Sequence, residues 1–207
     1  MTLAQTIALL ARLDVLMEII VASIALAIGF YAIKCFKVTS ERSFLYLDAS
    51  FTLLAIGFLT DSLVTLYVRF VLEDIVKFRF LLSASNWILF IAEIAAYGLL
   101  AYLYFRQAYT IVIPAVIPYV LKEHNPIAEI VLIVLLSYVV LQSAKSYSFN
   151  KSDGALLVTI GFSLILTSHV LFLLAIRWNL SYILAHLAQL AGFLCLLAML
   201  IKVIKRK

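Results

Sequence analysis

The sequence predicts an all-α integral membrane protein with six transmembrane helices. Three observations lead there. Of 207 residues, 66% are hydrophobic and 13% charged, whereas soluble domains run at roughly 45–50% apolar and about 25% charged. Glycine (6) and proline (3) are scarce, which with so high an apolar content excludes a disordered chain. The apolar residues also gather into six stretches separated by polar or charged breaks. A membrane helix needs about 20 residues, so a chain of this length holds six and no second folded domain.

Taken in order, residues 1–12 (MTLAQTIALLAR) read as a short interfacial lead-in helix, and the first span follows at 13–36. The remaining spans fall at 44–70, 85–106, 127–146, 154–176 and 181–203. Their interiors are rich in Leu, Ile, Val and Ala without strict alternation, which indicates helices rather than barrel strands. Lipid offers the backbone no hydrogen-bond partner, so each span must satisfy its own peptide groups. The stretch from Tyr109 to Leu121 is apolar but short, and Pro114 and Pro118 interrupt it. It is expected to be an interfacial or re-entrant connector rather than a seventh span. Trp87 and Trp178 stand at span ends, where aromatic belts form.

The formal charge is +5, from 16 Lys and Arg against 11 Asp and Glu. These cations lie between apolar runs, so the lipid bilayer is the expected partner and nucleic acid is not. With six spans both termini share a face, and ten of the 16 cations fall on it. Excess Lys and Arg mark the cytoplasmic side, so a multi-pass protein with both termini cytoplasmic is expected. Cys35 and Cys195 form no CxxC and suggest neither a disulfide framework nor a zinc site. No cationic stretch precedes the first apolar run, so no cleaved signal peptide is expected.

The two halves of the chain resemble each other. Residues 91–97 (IAEIAAY) match 187–193 (LAQLAGF) at an offset of 96. The same offset pairs Ser85 with Ser181 and Arg106 with Lys202. An offset of 111 pairs Glu18 with Glu129, Lys34 with Lys145, Phe36 with Tyr147 and Phe51 with Phe162. The chain then reads as one membrane domain, 1–207, with half-repeats 13–106 and 127–202. Three spans per unit would invert the second copy, a 3+3 inverted repeat of the kind common in transporters, with sites at the repeat interface. Leu- and Ala-rich helices also align by chance, so the resemblance alone does not establish a repeat. Matching small residues, Ala92-xxx-Ala96 and Ala188-xxx-Gly192, mark places where helix backbones can approach closely.

An ionisable residue deep in a span costs roughly 2.5–3.5 kcal/mol on insertion scales and so faces protein or water. The candidates for a buried polar path are Asp61, Glu93, His169, His186 and Gln189. Counted along the predicted spans, Asp61 and Glu93 share a level near the N-terminal face. His169 and His186 share one near the opposite face. Glu18, Asp48 and Glu129 lie closer to span ends and are more easily hydrated. Carboxylates and imidazoles in this pattern suit proton or cation movement; equally, they could be interhelical hydrogen bonds that fix helix rotation. His169 and His186 are also candidate metal ligands, although two are too few for a typical zinc site.

No GxSxG, HExxH, P-loop or dinucleotide glycine motif occurs. An enzyme is therefore not expected, and no cofactor is indicated. Three functional classes remain: a small transporter or channel for an ion or small solute, a non-catalytic subunit or anchor of a membrane complex, and a sensory or signalling membrane domain. The first two are favoured, and either could form homo-oligomers or join other membrane subunits. The third normally needs an attached output domain, for which this sequence has no room.

Overall fold

The computed structural model describes residues 3–71, 75–107, 126–175 and 179–205. Each apolar stretch there is one unbroken helix: α1 (Leu3–Thr39), α2 (Ser43–Val71), α3 (Ile75–Gln107), α4 (Pro126–Asn150), α5 (Asp153–Ala175) and α6 (Asn179–Lys205). All six are long and apolar enough to cross a membrane, with spanning segments of 23 to 26 residues. At 1.5 Å per residue these reach roughly 35–39 Å, sufficient for a hydrocarbon core of about 30 Å with some tilt.

Two helices are longer than hydropathy alone suggests. The lead-in over residues 1–12 is not separate, because α1 runs without a break from Leu3. α3 starts at Ile75 rather than near 85. Lys77 and Arg79 lower the hydropathy there, but both residue types are good helix formers and neither glycine nor proline interrupts the turn. Trp178 and the connector from Tyr109 to Leu121 lie outside the described residues.

The helices form a ring. Each packs against the next in sequence, and α6 closes against α1. Small residues set the close approaches. Gly57 on α2 faces Leu89 and Ala92 on α3, and a Cβ added at Gly57 would lie 2.9 Å from that of Ala92. On the other side, a Cβ at Gly192 of α6 would lie 2.7 Å from the Gly161 carbonyl oxygen of α5. Phe51 and Phe193 meet across the interior, joining α2 to α6 with centroids 5.3 Å apart. At the closing seam the Cys35 thiol of α1 donates to the Leu200 carbonyl of α6 at 3.6 Å. Lys202 pairs with Asp153 at 2.5 Å, tying the end of α6 to the start of α5.

Some local features of α1 and α3 recur in α4 and α6. α1 and α4 are both followed by a left-handed residue that is not glycine, Ser40 (φ 59°) and Lys151 (φ 42°). Each of these amides donates at 2.7 Å to the carbonyl four residues back, Phe36 and Tyr147. This is an αL helix cap, unusual without glycine, and its two copies fall at the same offset that pairs Glu18 with Glu129. The buried stripes agree as well. Val21, Ala25 and Ile28 of α1 correspond to Leu132, Leu136 and Val139 of α4, all buried. Likewise Tyr97 and Leu100 of α3 correspond to Phe193 and Leu196 of α6, again all buried.

Candidate functional site

Lipid-facing surfaces of the ring are apolar, whereas its interior carries polar side chains that water would ordinarily hold. Glu18, Asp61, Ser62, Glu93, His169, His186 and Gln189 are all buried, each less than a tenth exposed. Glu93 occupies the middle of α3, nearly midway between Phe80 and Phe105, the ends of its spanning segment. That is roughly 18–20 Å from either end at the helical rise.

Around Glu93 the groups of three other helices converge. Its carboxylate lies within electrostatic reach of His169 on α5, Glu129 on α4 and Asp61 on α2. His169 is 1% exposed, yet both ring nitrogens have partners. Nδ1 lies 2.9 Å from Glu129 Oε2, and Nε2 lies 3.4 Å from the Tyr97 hydroxyl. The neutral Nδ1–H tautomer satisfies both, donating to the carboxylate and accepting from the phenol. The Tyr97 and His169 rings also stand edge to face, with centroids 5.7 Å apart. On the other side of the ring Ser62 donates to Glu18 Oε2 at 2.8 Å.

The five predicted site residues are all in the interior, but their grouping differs from expectation. The sequence reading sets the acidic pair and the histidine pair near opposite faces; instead His169 joins Glu93 in one cluster. Nor do Asp61 and Glu93 share a level. Gly57 faces Leu89 and Ala92, and counting on from that contact puts Asp61 about six residues, or roughly 9–10 Å, nearer the start of α3 than Glu93. The discrepancy arises because α3 begins earlier than hydropathy suggests. The two imidazoles share an aromatic neighbour. Phe172 packs against both, with centroids 6.2 Å from His169 and 4.9 Å from His186. His186 also meets Tyr182 edge to face at 4.8 Å.

Glu129 and Tyr97 belong to the cluster although hydropathy singles out neither. Glu129 lies next to the start of its span and reads as hydrated, while Tyr97 reads as one more aromatic of the core. The pairing of Glu18 with Glu129 between the two halves is the available signal. Among the described residues no three His, Cys, Asp or Glu side chains come together so as to hold a metal ion. Chemically the cluster offers carboxylates, an imidazole and a phenol, groups that accept, release and relay protons or attract small cations. No family model, curated protein or solved structure gives a significant match to the chain.

Proposed function

We propose that this integral membrane protein moves protons or small cations across the bilayer, with Glu93 as the central exchanging group. One observation carries the reading: a buried carboxylate at the middle of a span, within electrostatic reach of Asp61, Glu129 and His169 from three other helices. Leaving several ionisable groups in a lipid-embedded interior is costly, and such groups are typically retained on ion pathways and proton relays. Glu129 is the outermost member, with 21% of its side chain exposed, so it connects the cluster to the membrane face. A cation or proton arriving there would meet the imidazole of His169 first and Glu93 next.

The test is flux into liposomes holding purified protein, followed with an internal pH dye and with separate cation gradients. Wild type should dissipate at least one gradient. Glu93→Gln keeps the volume and hydrogen-bonding capacity but cannot ionise, and Gln189 stands at the matching place in the second half. This variant should fold and bring flux down to that of protein-free vesicles. Equal flux from both proteins removes Glu93 from the mechanism. Absence of wild-type flux for every ion tried, with a constant set of proteins co-purifying from native membrane, would instead favour a subunit of a larger complex.

A further inference from the structure

We infer that the two three-helix units run in the same direction across the membrane, so that the chain begins on one face and ends on the other. The inference is independent of any transport activity. It rests on two contacts between the first unit and α6. A Cβ added at Gly29 of α1 would meet Asp48 and Thr52 of α2, which puts Phe51 level with Gly29. Phe51 touches Phe193. Six residues further towards the end of α1, Cys35 touches Leu200, which is seven residues further towards the end of α6. The two contacts therefore advance together along both helices, and α1 and α6 are parallel.

Span lengths lead to the same result. Cys35 and Leu200 stand equally far beyond the starts of their spanning segments, Val15 and Leu180. On parallel helices they share a depth. On antiparallel helices they would be separated by roughly 20 Å at 1.5 Å per residue, which a 3.6 Å contact does not bridge. α4 and α5, like α5 and α6, are consecutive antiparallel helices, so α4 runs parallel to α6 and hence to α1.

The order of the ring agrees. A half-turn about the membrane normal carries α1 to α4, α2 to α5 and α3 to α6 while preserving the sequence of neighbours around the ring. An axis in the membrane plane would reverse that sequence. Parallel repeats about a normal axis are an established transporter arrangement. The repeat is thus parallel, in place of the inverted one that the sequence suggests. The chain must then return to the first face between Gln107 and Pro126. Ten of the 16 cations, those towards the ends of α1, α3, α4 and α6 and just beyond them, then share the face of the C-terminus, which marks that face as cytoplasmic.

Short epitope tags at residues 1 and 207 test this in sealed membrane vesicles of one orientation treated with protease. One tag should be digested and the other protected, with permeabilised vesicles losing both. Fusions to a protein that fluoresces only in the cytoplasm supply a second measurement, bright at residue 207 and dark at residue 1. Two tags protected together or digested together, or two bright fusions, overturn the parallel arrangement. The flux experiment on Glu93 bears on neither outcome.

Discussion

At the scale of single residues, His169 shows how a polar side chain is accommodated in an apolar ring. Both of its nitrogens are engaged, by Glu129 and Tyr97, so burial leaves no donor or acceptor stranded. Phenylalanine fits at the matching place in the first half, Phe58, which is itself buried. His169→Phe should therefore fold, but it strands the Tyr97 hydroxyl and the Glu129 carboxylate. Losing partners of this kind costs about 1–3 kcal/mol, readable as a lower unfolding temperature in detergent. Glu129→Leu alone should also destabilise, and the double variant should lose clearly less than the two single losses combined. Strict additivity would mean that the 2.9 Å pair contributes nothing specific.

At the scale of elements, the six spans are readable because each is a long apolar run bounded by charge. What hydropathy does not convey is where a helix begins once it leaves the hydrocarbon. α3 continues through Lys77 and Arg79, and that extension changes the depth of Glu93 against Asp61. Site membership is hidden for a related reason. Distance from a span end measures access to water, not proximity to a neighbouring helix, so Glu129 reads as peripheral although His169 lies against it. The small residues are more informative. Gly192 abuts the backbone of α5, where a Cβ would lie 2.7 Å from the Gly161 oxygen and 3.2 Å from the Ile165 nitrogen. Backbone cannot rotate away as a side chain can, so Gly192→Ala must spread α5 from α6 and should cost about 1–3 kcal/mol. Gly98 has nothing within 4 Å of its added Cβ, and Gly98→Ala should be neutral or mildly stabilising. Thermal unfolding of the two variants side by side checks the contrast, and equal effects would refute the packing argument.

At the scale of the whole molecule, the closed ring explains why each helix buries one face. The matching stripes are visible as residue similarity, but the direction of the second unit is not. Direction depends on the path of the chain between Gln107 and Pro126, where the broken apolar stretch admits either a crossing or a return. The order of the ring and the meeting of α1 with α6 bear on it. That seam has a further consequence. Cys35 is fully buried against α6, while Cys195, on the same helix as Leu200, is partly exposed. The unmodified chain therefore carries its own labelling clock. A small lipid-soluble organomercurial, which reacts with a thiol in an apolar setting, should modify the partly exposed Cys195 before Cys35, which becomes accessible only when α1 parts from α6. The lag between the two, followed by mass spectrometry of the peptides, times the opening of the ring with no engineered probe. Simultaneous modification would mean that the seam stands open in the bilayer, and a lag shortened by an imposed ion gradient would tie its opening to work done on the protein.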